Sequence, residues 1–333
     1  MVIPIAIAQL VPNIRESSTE KKEMHREVSG CFFRISFFRI SDFGIFNLYI
    51  WKQIAQMVHT EYTWKSKSGI TVFGQSWLVE NPKAVVGIIH GMGEHASRYN
   101  YLIDFLTLSG ISVVAYDQIG HGRTGGKRGH VANYDMLLSC VGELSSKMVE
   151  IVPAKPTFLF GHSMGGNVLL NYLIKRNPKI SGAIVSAPWL KLAFDPPAIQ
   201  VKLAKFVSGI LPGLVQSSNL DVKAISKDPK EVQRYVDDKL VHDKISTGFF
   251  VGVHNQGLWA LEHAAELKTP LLIYHGTADK LTSHDASKAF SEKAKGDITF
   301  KSLEGYYHES HNESEENRAK VLKMIIEWIG THS

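Results

Sequence analysis

The chain has 333 residues, of which 44% are hydrophobic and 21% charged, a balance in which disorder is not the default and which allows one large domain or two small ones. A net charge of +5 is small for this length, and its Lys and Arg residues are scattered rather than blocked, so a nucleic-acid partner is not expected. Cys31 and Cys140 exclude a disulfide framework, and neither has the neighbours of a metal site.

The first eight residues are apolar but short, and no cationic stretch precedes them, which argues against a signal peptide. No apolar run is long enough to span a bilayer. The sequence therefore reads as a cytoplasmic protein that is at most peripheral at membranes. Residues 1–56 form an irregular extension containing a tandem repeat, Phe32-Phe33-Arg34-Ile35-Ser36 followed by Phe37-Phe38-Arg39-Ile40-Ser41. That aromatic segment could be an interfacial element, but regular signals begin only after Met57, so residues 57–333 are expected to carry the function.

From there the pattern alternates strand and helix. Residues 61–67 and 71–80 read as a hairpin around Ser68-Gly69. Strands follow at 85–90, 111–116, 157–160, 183–186, 270–275 and 298–303, mostly as uninterrupted apolar runs that suit parallel strands covered on both faces. Helices are expected over 98–108, 134–152, 166–176, 286–295 and 315–329. The result is an α/β protein with a mainly parallel eight-stranded sheet flanked by helices. Between Pro188 and Pro270 there is no sheet-strand signal, only amphipathic pieces at 199–211 and 231–240. A structureless loop of that length is uncommon, so residues of about 190–268 are expected to form an inserted helical cap over the carboxyl ends of the strands.

Gly161-His162-Ser163-Met164-Gly165 follows an apolar strand and opens a helix, the context in which G-x-S-x-G marks a nucleophile elbow. Glycines flank the tight turn, and Ser163 is left at a helix N-terminus. A serine needs a base, and the base needs an orienting acid, in the order Ser, acid, His for this arrangement. Asp279 follows the strand ending at His275, and His308 follows the last strand. Asp285 reads as a helix N-cap, and His311 is the rival base. Met92 in the His90-Gly91-Met92-Gly93-Glu94 loop and Met164 after the nucleophile are positioned to offer backbone N–H groups to an oxyanion. His59, His254 and His263 read as structural or surface residues.

These motifs, with Glu94-His95 and Arg98-Tyr99, Asp117-Gln118-Ile119-Gly120-His121-Gly122, Gly276-Thr277-Ala278-Asp279 and Tyr307-His308-Glu309-Ser310-His311, resemble the monoacylglycerol lipase and lysophospholipase branch of the α/β-hydrolases, grouped with serine aminopeptidase-like domains. The resemblance covers the chain after Met57. It implies an α/β-hydrolase fold, a catalytic Ser163, Asp279 and His308, and oxyanion donors at Met92 and Met164. It further implies that Glu94, Arg98, His162, Tyr235 and His311 line or support a polar pocket for a glycerol head group. Glu94 and Arg98 could equally be an ion pair. The family usually has Asp-Pro-Leu where this chain has Asp238-Lys239-Leu240, so no proline fixes the cap there.

The expected activity is hydrolysis of a lipid with one acyl chain, most simply monoacylglycerol, with no cofactor and no metal. A lysophospholipase or a short-chain carboxylesterase is the nearest alternative, and a non-catalytic binding protein of the same fold is a more distant one. Transient membrane-surface contact through the cap is also expected.

Overall fold

The computed structural model describes residues 57–333 apart from 195–197; the extension before Met57, with its repeat and Cys31, lies outside the described residues. Ten strands and eight α-helices are described. They are β1 (Val58–Lys65), β2 (Thr71–Leu78), β3 (Ala84–Ile89), α1 (Asn100–Leu108), β4 (Ile111–Tyr116), α2 (Asp135–Ile151), β5 (Thr157–His162), α3 (Met164–Arg176) and β6 (Gly182–Ser186), then α4 (Ala198–Ile210), β7 (Val215–Ser217), α5 (Pro229–Asp237), β8 (Lys244–Ser246) and α6 (Thr247–Glu262), and finally β9 (Leu271–Gly276), α7 (His284–Lys293), β10 (Ile298–Leu303) and α8 (Glu315–Thr331).

Eight strands form one sheet in the order β1-β2-β4-β3-β5-β6-β9-β10, antiparallel where β2 meets β1 and β4 and parallel elsewhere. The central strands β3, β4, β5, β6 and β9 are buried along their whole length, as a sheet covered on both faces requires. Alternation within each strand sends its side chains to two cores. Val86, Ile88, Phe158, Phe160 and Leu272 pack with Leu102 and Leu106 of α1 and Leu322, Ile325 and Trp328 of α8. Val85, Ile89, Leu159, Val185 and Ile273 pack on the other face with α2, α3, α6 and α7, through residues such as Leu144, Leu169, Val253 and Phe290. Chain order reverses at β3, which lies between β4 and β5, and the loops after β3 and β5 open together at that switch point.

Three features depart from expectation. The stretch between β6 and β9 contains strands, since β7 and β8 pair antiparallel over three residues each, separate from the main sheet. It also contains α6, which the sequence pattern does not announce. Gly248, Gly252 and Gly257 interrupt its periodicity, and the helix is set instead by the Ser246 N-cap bond from Phe249 N–H and by burial of Phe249, Val253 and Ala260. Gly257 is required there because a Cβ would lie 2.5 Å from Leu190 O. The α7 cap also differs: the Ser283 side chain accepts from Ala286 N–H, while Asp285 sits exposed in the first turn, where its charge complements the helix dipole.

The inserted stretch is tied to the sheet domain by backbone. His242 N–H donates to Gly93 O at 2.8 Å, and Ser246 N–H donates to Gly129 O at 2.7 Å. At both glycines φ is positive, and a Cβ would strike the partner carbonyl at 2.3 Å (His242 O) or 2.0 Å (Lys244 O).

Candidate active site

Ser163 sits between β5 and α3 with φ 53° and ψ −117°, a conformation that costs a non-glycine residue on the order of 1–3 kcal/mol. The surroundings hold it there. Ser163 N–H donates to Ser186 O at 2.9 Å, and its carbonyl accepts from Asn167 N–H and Trp189 N–H, each at 3.0 Å. Glycine is required on both sides of the turn. A Cβ on Gly165 would lie 2.1 Å from Ile89 O, and one on Gly161 would lie 2.7 Å from Gly165 O. A Cβ on Gly91 would come within 3.3 Å of Ser163 Cβ, so the loop after β3 passes directly beside the serine. Met164 opens α3, where first-turn N–H groups have no intrahelical acceptor, and Met92 lies in the adjoining loop.

Asp279 follows β9 and His308 follows β10, and the parallel pairing of these strands brings the two together. His308 Nδ1 lies 2.7 Å from Asp279 Oδ2. The other carboxylate oxygen accepts Leu281 N–H at 2.7 Å and Thr282 N–H at 3.1 Å. Burial by itself would raise the Asp279 carboxyl, but the His308 charge and the bonds from His275 and His308 hold it well below the usual carboxylate range. His308 is correspondingly raised: burial opposes its charge, and Asp279 outweighs burial. Because Nδ1 donates to Asp279, Nε2 is the nitrogen left to accept a proton.

The remaining expected residues divide into two groups. Glu94 and Arg98 are a buried ion pair at 2.7 Å. Glu94 Oε1 also accepts Gly91 N–H and Tyr99 O–H, each at 2.6 Å, so this carboxylate props the loop beside Ser163 from behind. Arg98 makes a second, bidentate pair with Glu309 at 2.8 and 2.9 Å. His162, His308 and His311 form a ring cluster, with centroids 4.7 Å apart for His162 and His308 and 4.8 Å for His162 and His311. His311 stacks on Tyr99 at 5.1 Å, and its Nδ1 has no protein partner. Burial pushes His311 down to about 4 and also lowers His162, so neither competes with His308 for a proton. Tyr235 comes from α5, with its ring under the Arg98 guanidinium at 4.5 Å. Asp238 closes α5. Its backbone is extended, as a residue before proline would be, because its side chain accepts Leu240 N–H at 2.9 Å and pairs with His95 Nε2 at 2.8 Å.

Three residues of this site are not among the expected ones. Glu309 carried a weak signal as an acid beside His308. Thr282, whose hydroxyl lies 3.0 Å from Asp279 Oδ2, carried none. His275 carried only the oddity of an ionisable residue closing the apolar run Leu271-Leu272-Ile273-Tyr274; it too contacts Asp279. Among the described residues no cluster of His, Cys, Asp and Glu could hold a metal ion.

A mainly parallel sheet with a strained serine turn after its fifth strand and a cap inserted before β9 defines the α/β-hydrolase fold. Residues 80–315 match the family described as serine aminopeptidase, S33, and the chain belongs to that family. It is 31% identical over 276 residues to a monoacylglycerol lipase of Mycolicibacterium smegmatis, covering 82% of this chain and 98% of that protein. The crystal structure of Paleococcus ferrophilus monoacylglycerol lipase superposes with a TM-score of 0.71 at 32% identity, covering 84% of this chain and all of that one, 100%. An abhydrolase domain-containing protein of Dictyostelium discoideum is 36% identical over 251 residues, 74% of this chain but 26% of that longer protein, so the chain spans about a quarter of that relative.

Proposed function

We propose that the chain is a serine esterase that cleaves monoacylglycerol to a fatty acid and glycerol through an acyl-enzyme on Ser163. The observation that carries the chemistry is the buried Asp279–His308 pair at 2.7 Å, at the same end of the sheet as the strained Ser163 turn. His308 Nε2 takes the Ser163 proton as the hydroxyl attacks the ester carbonyl. The N–H groups of Met92 and Met164 receive the tetrahedral oxyanion, each such donor being worth roughly 2.7–4 kcal/mol in comparable sites. His308 then protonates the departing glycerol oxygen and activates the water that releases the fatty acid. Asp279, held ionised, keeps the imidazolium in place.

The two relatives named as monoacylglycerol lipases support this substrate, as do the polar groups gathered around the Ser163 turn and the loop after β3. Glu94 and Arg98 are satisfied by protein partners, so they support the pocket rather than read the head group. His311 Nδ1 and the Tyr235 hydroxyl remain to pair with glycerol, with His162 filling the floor. On α4, Ile199, Leu203, Phe206 and Ile210 recur at helical spacing and are all exposed, Ile199 by 73% and Phe206 by 66%. An apolar stripe beside Lys202 and Lys205 suits a surface that settles on lipid, which makes contact with the membrane part of substrate capture. Among the described residues no helix is long and apolar enough to cross a membrane.

Comparison of kcat/KM for monoolein, lysophosphatidylcholine and a short p-nitrophenyl ester tests the reading; monoolein is expected to lead. Preference for the short ester would remove the lipid assignment. Ser163→Ala is expected to abolish both turnover and fluorophosphonate labelling in a folded protein, and retained labelling would overturn the nucleophile.

A further inference from the structure

The last side chain of β9 before its closing Gly276 is His275, whose ring is fully buried behind Asp279. Its Nε2 lies 2.9 Å from Asp279 Oδ2, the same oxygen that accepts from His308 Nδ1. Its Nδ1 lies 2.8 Å from Ser287 Oγ on α7. An ionised carboxylate can only accept, so Nε2 carries the hydrogen; in the neutral ring Nδ1 then accepts from the Ser287 hydroxyl. The chain of bonds runs Ser287, His275, Asp279, His308, and one carboxylate oxygen is shared between two imidazoles.

We propose that His275 is a positioning residue for the acyl transfer: its Nε2–H fixes the Asp279 carboxylate toward His308 and draws part of its charge away, setting the basicity of His308. This rests on the acyl-enzyme reading above. An apolar side chain of similar size would fill the same space, so packing alone does not account for a polar ring with both nitrogens bonded at full burial. Burial lowers His275 below an ordinary imidazole, which keeps it a neutral donor while His308 is raised. The titratable groups facing His275 are Asp279, His308 and, from α7, His284 at 5.7 Å between rings. From β10 it faces Ser302, which does not titrate. His308 is faced by Asp279, Glu309, Glu94, His162 and His311. Asp279 is the titratable group bonded to both rings; Thr282, which does not titrate, lies between them, its carbonyl oxygen 3.2 Å from His275 Nε2 and its hydroxyl 3.2 Å from His308 Nδ1, both longer than the contacts to Asp279.

The sign follows. Without the His275 donor, Asp279 holds its charge for His308 alone, the imidazolium is favoured, and the base is lost at higher pH. For hydrolysis of p-nitrophenyl butyrate, His275→Leu is expected to raise the acid-limb midpoint of kcat/KM by about one pH unit, a ten-fold change in proton affinity. His275→Gln, whose amide N–H reaches toward the Nε2 position, is expected to restore the midpoint. Ser287→Ala, which removes the hydrogen bond into Nδ1 and weakens the opposite N–H, is expected to shift it the same way by less. Should His275→Leu fail to fold, the Ser287→Ala limb decides. An unmoved limb in folded variants, or a shift that the Gln variant does not reverse, overturns the proposal. Wild-type protein that neither labels with a fluorophosphonate nor cleaves the ester sinks the acyl-enzyme reading instead, so the two failures are distinct.

Discussion

Arg98 illustrates how single side chains stabilise this site. It is buried between two carboxylates, Glu94 and Glu309, and removal of Glu309 takes away two charge-assisted hydrogen bonds in a dry interior. Burial alone would raise the Glu309 carboxyl, but Arg98 overrides it and lowers the group from 4.5 to about 2. A folded pKa below the unfolded one contributes stability that is present above the unfolded value, about pH 4.5, and is lost as pH falls through the folded one. Glu309→Gln, which weakens the bonds to Arg98, is therefore expected to destabilise the protein at pH 7 by roughly 1.5–3 kcal/mol. Urea unfolding at stepped pH checks this, and the gap to wild type should narrow between pH 5 and pH 2. A gap that stays constant would show that protonation of Glu309 is not linked to folding. Glu94 shows the opposite balance: burial is its largest influence, and its carboxyl is raised despite Arg98.

At the scale of elements, the site depends on close backbone approach. α3 can start where it does only because Gly165 lets its first turn lie against the carbonyls ending β3. Gly165→Ala puts a methyl 2.1 Å from Ile89 O, and no flexible side chain is available to yield. The expected outcome is loss of fluorophosphonate labelling by at least about 100-fold, a displacement of the reacting group of the size that costs orthodox positioning about that much. Gly252 in α6 is the contrasting position, with nothing within 4 Å of a Cβ. Gly252→Ala should leave labelling intact and stabilise the helix by roughly 0.5–1 kcal/mol, seen as a higher Tm. Equal effects at the two sites would refute the steric account. The ties at Gly93 and Gly129 extend the same logic to the inserted stretch, which is registered on the sheet domain by carbonyls and N–H groups rather than by side-chain packing alone.

At the scale of the whole molecule, the apolar residues divide between two uses. The sheet sends its two faces into separate cores, whereas the stripe on α4 stays exposed. Leu203→Glu combined with Phe206→Glu should leave kcat/KM for a soluble short ester unchanged. It should lower both sedimentation with liposomes and turnover of monoolein carried in them. Turnover of vesicle-borne monoolein at the wild-type rate would remove the membrane role from α4.

The strands at the centre of the sheet, the Ser163 turn and the placing of Asp279 and His308 just past strand ends were legible in the sequence, because each is written in local pattern: apolar runs, obligatory glycines, and polar residues just past strand ends. α6 was not, since three glycines interrupt its periodicity, and one of them, Gly257, is required by close approach to Leu190 rather than by helix propensity. Nor were β7 and β8, three residues each, which exist only as partners of one another. Sequence left Glu94 and Arg98 open between pocket and ion pair, and the arrival of Glu309 from 211 residues away gave Arg98 its second carboxylate. His275 is the sharpest case. Along the chain it is the polar end of an apolar strand, and only the fold, by turning Asp279 back onto it and laying α7 behind, supplies a bonded partner for each of its nitrogens. Local pattern fixes which elements form; partnership across the chain fixes what their side chains do.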